Sequence, residues 1–228
     1  GGILTDQDTI NISVAAVNDA PVNTITSPTQ SVDEDTNLVF SGNTLSVFDV
    51  ESSTLQVSLS VLNGTLTLSG TNNLSFSVGA GSQDSSMTFT GSIAAINAAL
   101  NGLIYRGNQD FNGTDTLTLT TSDLGGFGSG GILTDTDTVT ITVNAVNDAP
   151  VNTLASSSQT VNEDTDLVFS SGNGNLIRTD DVEATTLRVT LSVLNGALTL
   201  STSAGLNFST GDGTADSSMT FTGSKGNV

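Results

Sequence analysis

The sequence predicts an all-β fold made of tandem Greek-key β-sandwich repeats, and three observations support this prediction. Apolar and polar residues alternate with a period of two over many short stretches, which is the pattern of half-buried antiparallel strands. Glycine and asparagine separate these stretches at short intervals, as expected for turns. Finally, the chain repeats itself, because the segment Val-Asn-Asp-Ala-Pro-Val-Asn-Thr at 17–24 recurs letter for letter at 146–153.

The internal repeat has a period of 129 residues, which is the separation between Pro21 and Pro150. After a three-residue insertion near 172–174 the offset becomes 132, so that Ser85–Gly91 matches Ser217–Gly223. Nearly identical copies in series are typical of a repeated mechanical or binding unit. The repeat predicts three regions joined by short Asn-Asp-Ala-Pro linkers: the C-terminal strand of a preceding repeat at 1–16, a complete repeat at 17–145 and a truncated repeat at 146–228.

Within the complete repeat, the alternation predicts the strands in turn. Three stretches place apolar residues on one face with polar residues between them, namely 55–61, 117–119 and 139–143. The segment 70–86 is ambiguous, because its core Leu74–Val78 fits either a strand or a bent continuation of the preceding strand. About seven short strands in roughly 110 residues fit a Greek-key β-sandwich.

Local signals predict two further features of the repeat. Asn63-Gly64 and its copy Asn195-Gly196 stand between apolar runs and predict type I′ hairpin turns, in which both central residues have positive φ. One short helix is predicted after Ser92, a favourable N-cap residue, because apolar residues then recur at helical spacing between 93 and 100.

Two loops also carry a prediction. The glycine-rich segment 125–130 begins like a calcium-binding β-roll nonapeptide, but Gly130 stands where the ligand aspartate belongs and the pattern does not recur after nine residues, so the segment predicts a flexible loop. Asp84 and its copy Asp216 each precede the sequence Ser-Ser-Met-Thr-Phe-Thr. Aspartate commonly accepts hydrogen bonds from nearby backbone N–H groups, so each of these two carboxylates is predicted to cap a turn.

The composition excludes several classes of function. Four Lys and Arg residues against 23 Asp and Glu residues give a net charge of −19, which would repel nucleic acid and anionic membranes. The absence of Cys excludes disulfides and thiolate metal sites, and the absence of His removes the usual residue of zinc sites and general-base catalysis. No apolar run is long enough to predict direct membrane insertion. This acidic, cation-poor composition favours an extracellular or cell-surface location.

Acidic residues collect where the predicted strands end. Asp49 and Glu51 continue the inward phase of one strand, and Asp123 continues the inward phase of another, where the apolar core stops. Because successive strands of a sandwich alternate in direction, these strand ends lie at one pole together with Asn18 and Asp19 of the incoming linker. The opposite pole is expected to gather Glu34, Asp110, Asn147 and Asp148. The next copy repeats the pattern with Glu163, Asp181 and Glu183.

A divalent cation would explain this clustering. Several carboxylates within contact distance repel one another strongly unless a cation lies between them. Ca²⁺ accepts about six to eight oxygen ligands, and these residues supply only oxygen. The alternative is that each aspartate simply favours the turn at the end of a strand. For the set as a whole, the residues favour bound Ca²⁺, whereas for any single aspartate the turn remains the alternative.

Four motifs resemble the cadherin-like repeats of large bacterial surface adhesins of the biofilm type, and the resemblance extends over the whole chain. The linker Asn-Asp-Ala-Pro is similar to the calcium-binding linker of cadherins. Val32-Asp33-Glu34, Asp49-Val50-Glu51 and Thr121-Ser122-Asp123 resemble three further cadherin motifs. The resemblance implies a cadherin/immunoglobulin-like sandwich and interdomain Ca²⁺ held by Asn18, Asp19, Glu34, Asp49, Glu51, Asp123, Asn147, Asp148, Glu163, Asp181 and Glu183.

The chain departs from the cadherin pattern at two points. Asp110 stands only loosely where cadherins carry Asp-Arg-Glu. Ala16 and Ala145 replace the acidic residue that leads the linker in cadherins. The resemblance therefore implies fewer ions at each junction than in cadherins.

The sequence predicts a calcium-rigidified structural spacer of a secreted or cell-surface adhesin or biofilm-matrix protein, with neighbouring repeats of the same chain as its partners. An alternative is a ligand-binding module that contacts a host or matrix glycan or protein, although one Tyr and no Trp leave few surfaces for sugar stacking. An enzyme, such as a glycosidase with paired carboxylates, is not predicted. Its acids would lie in one cleft, whereas these acids recur at both poles.

Overall fold

The computed structural model describes all 228 residues and divides them into two compact units, Gly1–Val146 (unit 1) and Asn147–Val228 (unit 2). Apart from one short helix, all the regular structure is β-strand, which confirms the predicted all-β class. No helix in the chain has the length and apolar character needed to span a bilayer.

Unit 1 contains eleven strands and one helix. In chain order they are β1 (Val22–Ile25), β2 (Thr29–Asp33), β3 (Asn37–Phe40), β4 (Leu45–Phe48), β5 (Thr54–Ser60), β6 (Gly64–Thr67), β7 (Leu74–Val78), β8 (Ser86–Ser92), α1 (Ile93–Leu100), β9 (Leu103–Gly107), β10 (Gly113–Ser122) and β11 (Thr134–Asn144). Six strands form the larger sheet, in the order β2-β11-β10-β5-β8-β7. A three-stranded sheet has the order β3-β9-β6, and β1 pairs with β4.

The core of unit 1 lies under the alternating strands that the sequence predicts. Leu55, Val57 and Leu59 of β5 are fully buried, whereas the residues between them are partly exposed. The inward-facing apolar residues of β10 and β11 are buried in the same way. The ambiguous segment is resolved as strand β7, which pairs with β8 and shifts register between Phe76 and Val78.

The predicted helix is confirmed as α1. Its N-cap is Ser92, whose side chain accepts a hydrogen bond from the Ala95 backbone N–H at 3.2 Å. Ile96 and Leu100 are buried against the core. An apolar face and a capped first turn therefore suffice to form this eight-residue helix beside the sheets.

The predicted type I′ turn at Asn63-Gly64 is wrong, because neither residue has positive φ. β5 and β6 are not a hairpin, since they belong to different sheets and β6 pairs with β9 instead. Gly64 is nevertheless required there, because a Cβ atom would lie 2.6 Å from the Tyr105 ring. Close packing and not backbone conformation explains this glycine.

The turn predicted at Asp84 is confirmed. Its Oδ2 atom accepts hydrogen bonds from the backbone N–H groups of Ala80, Gly81 and Ser82, at 2.9, 2.7 and 3.2 Å. In unit 2, Oδ2 of Asp216 accepts from residues 212 and 213 in the same way. The repeated turn therefore depends on one carboxylate in each copy.

Unit 2 contains β12 (Val151–Leu154), β13 (Ile177–Asp180), β14 (Thr186–Ser192), β15 (Leu206–Thr210) and β16 (Ser218–Ser224). β12 pairs with β13, and the other three form a sheet in the order β14-β16-β15. Residues 155–176 form no strand. In unit 1 the equivalent β2 and β3 pair with β11 and β9, and this chain has no counterparts of those partners in unit 2.

The strand predicted within residues 1–16 is not present in the structure. Ile3 and Ile10 are 94% and 87% exposed, and no residue of this segment belongs to a strand. The equivalent sequence in unit 1 is β11, which is held by pairing with β10 and β2. Residues 1–16 pair with no strand of the chain, so their alternating sequence alone does not produce one.

Candidate metal centre

Asp49 immediately follows β4 and is only 5% exposed. Its Oδ1 atom accepts hydrogen bonds from the backbone N–H groups of Glu51 and Ser52, at 2.9 and 2.5 Å. Its Oδ2 atom is buried and accepts no hydrogen bond. Because a buried carboxylate oxygen without a partner is costly, this atom marks a place where a cation would stabilise the fold.

Asp123 immediately follows β10 and is 2% exposed. Its Oδ1 atom accepts backbone N–H groups of Gly125 and Leu133, both at 2.9 Å. Its Oδ2 atom accepts the side-chain amide of Asn18 at 2.5 Å. Asp123 therefore joins the incoming linker to both ends of the loop between β10 and β11.

Asn18 is 5% exposed, and its side-chain oxygen Oδ1 is a second buried atom without a hydrogen-bond partner. The next linker residue, Asp19, donates its backbone N–H to Glu51 at 3.4 Å. The hydroxyl of Ser52 also reaches the backbone oxygen of Asp123 at 3.4 Å. Hydrogen bonds thus connect the five residues that the sequence assigns to this pole, with Asn18 joined to Asp123, Asp19 to Glu51, and Asp49 and Asp123 both to Ser52.

No basic side chain neutralises these acids. Arg106, on β9, is the only Lys or Arg residue of unit 1, and its guanidinium donates to Asn37 at 3.3 Å. The one salt bridge of the chain lies in unit 2, where Lys225 pairs with Asp180 at 2.8 Å. No Lys or Arg side chain therefore offsets the negative charge of this pole.

Hydrogen bonding keeps Asp123 ionised. Burial raises its pKa, but the hydrogen bonds from the Leu133 N–H, the Asn18 side chain and the Gly125 N–H outweigh burial, so that the pKa lies below its usual value of 3.8. An ionised carboxylate is the form that both the linker and a cation require.

This pKa predicts acid sensitivity of unit 1. A carboxyl group whose pKa is lower in the folded state contributes stability above its unfolded pKa and loses that contribution as the pH falls through the folded value. We expect the urea concentration at the unfolding midpoint, measured in chelator, to decrease as the pH is lowered from about 5 to about 2. Asp123→Asn should show a smaller dependence over this range, measured by the fluorescence of the single Tyr. An equal dependence in both proteins would contradict the assignment.

The opposite end of unit 1 carries Glu34, which is 3% exposed. Its Oε1 atom accepts the backbone N–H of Val146 at 2.6 Å, and its Oε2 atom is buried without a hydrogen-bond partner. Asp35 and Asp110 both have positive φ, and their carboxylate oxygens lie within 4.8 Å of each other. The sequence predicted Glu34 and Asp110 here but missed Asp35, although it stands directly beside Glu34.

Unit 2 repeats the hydrogen bonds that Asp49 and Glu51 make in unit 1. Oδ1 of Asp181 accepts the backbone N–H groups of Glu183 and Ala184, at 3.1 and 2.7 Å. Glu183 accepts the Asp148 N–H at 3.0 Å through Oε2, while its Oε1 atom is buried without a partner. Asn147, by contrast, is exposed and donates its side chain to the Asp148 backbone oxygen at 2.9 Å.

Glu163 does not join the other predicted ligands. It is exposed and lies in the segment of unit 2 that forms no strand, whereas its counterpart Glu34 directly follows β2 and is buried. The difference follows from pairing, because β2 is held in place by β11 and unit 2 has no counterpart of β11.

The oxygen atoms at the pole that contains Asn18, Asp49 and Asp123 are of the kind that Ca²⁺ accepts as ligands. The ligand atoms would be carboxylate and amide oxygens, which are the ligands of hard cations. Two of these oxygens, Oδ1 of Asn18 and Oδ2 of Asp49, are buried and have no protein donor. Soft metals that prefer thiolate or imidazole have no ligand here, because the chain has neither Cys nor His.

The model of one protein family, described as "Protein GAMETE EXPRESSED 2 domain", matches residues 34–130. No curated protein matches the chain. The matched residues begin at Glu34 and cover most of unit 1, but they are less than half of the 228 residues. The chain is thus similar to this family over the matched range, and this family differs from the cadherin-like repeats of bacterial adhesins.

The resemblance to cadherin-like adhesin repeats is therefore wrong. It rested on motifs of three or four residues, and motifs this short occur by chance in unrelated families. Asp49 shows why, since its Oδ1 atom caps the turn that follows β4. Acidic residues at strand ends meet this local requirement in many β proteins, so they do not identify a family.

Proposed function

We propose that this chain is a calcium-rigidified structural spacer, built of Greek-key β-sandwich repeats, in a secreted or cell-surface protein of adhesive or matrix type. The observation that carries the proposal is a pair of buried oxygens, Oδ1 of Asn18 and Oδ2 of Asp49, neither of which has a protein donor. Asn18 also contacts Asp123, whose lowered pKa keeps that carboxylate ionised. One oxygen comes from the linker and the other from the body of the repeat. A cation shared by both would fasten the linker to the repeat.

The residues that would hold Ca²⁺ in unit 1 are Asn18, Asp19, Asp49, Glu51 and Asp123. When bound, the ion supplies a double positive charge that offsets the repulsion among the acids. The protein itself orients the ligands, because backbone N–H groups donate to one oxygen of Asp49 and to one oxygen of Asp123 and thereby fix each carboxylate. In unit 2 the corresponding candidates are Asp148, Asp181 and Glu183.

The proposal predicts that Ca²⁺ stabilises and stiffens the chain. A ligand that binds only the folded state adds about 2.7 kcal/mol at 100 times its Kd. We therefore expect a higher melting temperature in Ca²⁺ than in EDTA, and small-angle scattering should give a longer maximum dimension in Ca²⁺. Mg²⁺ is the matched control and should substitute poorly, because it requires tight octahedral geometry and retains its waters.

The two measurements test separate parts of the proposal. No change in melting temperature with Ca²⁺ would contradict calcium binding altogether. A higher melting temperature with an unchanged maximum dimension would contradict the spacer mechanism while leaving the calcium site in place.

A further inference from the structure

The loop between β10 and β11 contains the glycine-rich segment 125–131, here called the strap, which is attached to the incoming linker. The backbone N–H of Asn18 donates to the Ser129 oxygen at 2.9 Å, and the Ser129 N–H donates to the Ala16 oxygen at 3.1 Å. Val17 and Ser129 form an isolated parallel β-bridge. This segment was predicted to be a flexible loop, but backbone hydrogen bonds join it to the linker.

The side chain of Asn18 is oriented by two acceptors. Its amide nitrogen Nδ2 donates to Oδ2 of Asp123 at 2.5 Å and to the strap oxygen of Gly131 at 2.9 Å. Both amide hydrogens are therefore used, which leaves Oδ1 as the only free group of the side chain. That oxygen is the buried atom without a protein donor. The hydrogen bond to the strap thus helps to orient the Asn18 side chain so that Oδ1, and not Nδ2, is left available to a cation.

Glycine is required where the strap crosses the linker. Gly128 has φ of +66°, and a Cβ atom there would lie 2.8 Å from the Ala16 backbone oxygen and 2.9 Å from a Val17 backbone carbon. Both the backbone conformation and the contact therefore oppose any side chain. By contrast, a Cβ atom on Gly126 would meet nothing within 4 Å, and its φ is not positive.

The repeat provides an internal comparison. Asn147 occupies the same place in the same sequence as Asn18, but unit 2 has no counterpart of the strap or of Asp123. Asn147 is exposed and donates to its own neighbour, although the adjacent Asp181 and Glu183 interactions form as they do in unit 1. The linker sequence alone therefore does not place its asparagine in the site.

We propose that the strap positions Asn18 as a ligand of the calcium site, so that docking of the strap on the linker and binding of Ca²⁺ stabilise each other. This inference rests on the proposed function, because it assigns a positioning role at the same site. The strap supplies no ligand of its own from its side chains. It holds the linker backbone and fixes the Asn18 amide, and a cation bound to Oδ1 would in turn hold the linker under the strap.

The test compares Gly128→Ala with Gly126→Ala in the whole chain. Amide hydrogen exchange of Asn18 and Ser129 is measured by NMR in EDTA, and Ca²⁺ affinity is measured from the shifts of the Asn18 and Asp123 signals. Gly128→Ala should speed exchange of both amides and weaken Ca²⁺ binding, each by about tenfold or more. Gly126→Ala should leave both values unchanged. Gly130→Ala, whose Cβ would lie 3.3 Å from the Asn18 Cβ, provides a second variant.

The outcomes separate the two proposals. If the wild-type chain shows no Ca²⁺-dependent shifts, the proposed function fails, and the positioning role fails with it. If the wild type binds Ca²⁺ and Gly128→Ala binds it equally well despite faster exchange, only the positioning role is overturned. Unchanged exchange and affinity in both Gly128→Ala and Gly130→Ala would overturn it as well. Faster exchange with weaker binding in either variant supports it.

Discussion

Replacing Asp115 with alanine should destabilise unit 1 by about 3 to 5 kcal/mol, because four donors lose this acceptor together, among them the buried Tyr105 hydroxyl. Asp115 lies on β10 and is 3% exposed. Its two oxygens accept the backbone N–H groups of Leu62, Asn63 and Thr116 at 3.1, 2.9 and 2.8 Å, and the Tyr105 hydroxyl at 3.0 Å. The carboxylate, which belongs to β10, thereby joins the crossover between β5 and β6 to Tyr105 of β9.

Urea unfolding followed by tyrosine fluorescence measures this effect, since Tyr105 is the only tyrosine and the chain has no tryptophan. Tyr105→Phe, followed by circular dichroism, is the matched control. It removes one of the four hydrogen bonds and should cost about 1 kcal/mol. A loss for Asp115→Ala no larger than that of Tyr105→Phe would contradict the assigned role.

The same pair predicts how Tyr105 titrates. Burial raises the pKa of the Tyr105 hydroxyl, and the negative charge of Asp115 and the hydrogen bond to it raise the pKa further. The ultraviolet absorbance of tyrosinate should therefore appear only as unit 1 unfolds in alkali. Ionisation of Tyr105 in the folded chain near pH 10, the usual value, would contradict this environment.

The parts of the fold that the sequence predicts are those set by local pattern. Leu55, Val57 and Leu59 are buried because a strand places every second side chain on the same face. The same alternation explains the burial of Asp115, which was not among the predicted residues. Asp115 precedes Leu117 on the inward face of β10. An acid at an inward position requires several donors, and Asp115 receives them from Thr116, from Tyr105 and from residues 62 and 63.

The Asn63-Gly64 turn was mistaken because the hairpin signal is local, whereas strand pairing is not. β6 pairs with β9, which lies some distance further along the chain, so the segment after β5 crosses to another sheet. Glu163 and residues 1–16 illustrate the same limit. Their copies in unit 1 are ordered by partner strands that these residues lack, and no pattern within either segment contains that information.

The candidate site was predictable in part. Asp49, Glu51 and Asp123 were found because strand direction alternates and brings their ends to one pole. The strap was not found, because glycines carry no side-chain pattern and their close contact with residues 16–18 appears only in three dimensions. The resemblance of the motifs gave the wrong family, whereas strand phase correctly placed Asp49 and Asp123 as buried residues directly after β4 and β10.

Asp49→Asn should reverse its effect on stability between chelator and Ca²⁺. In EDTA the variant should be at least as stable as the wild type, because Oδ1 can still accept the Glu51 and Ser52 N–H groups while the buried, unpartnered Oδ2 charge is removed. In Ca²⁺ at 100 times its Kd, the wild type should gain about 2.7 kcal/mol. The variant should gain much less, since it lacks one anionic ligand.

Tyrosine fluorescence confines this measurement to unit 1, because Tyr105 lies there and unit 2 contains no tyrosine. Asp137→Asn is the matched control, as it removes the same charge from a half-buried position on β11 that belongs to no proposed ligand set. It should gain as much from Ca²⁺ as the wild type does, which separates the loss of a ligand from the loss of general negative charge. If Asp49→Asn were destabilised in EDTA and gained the full calcium increment, Oδ2 of Asp49 would not face a cation, and the turn after β4 would be its whole role.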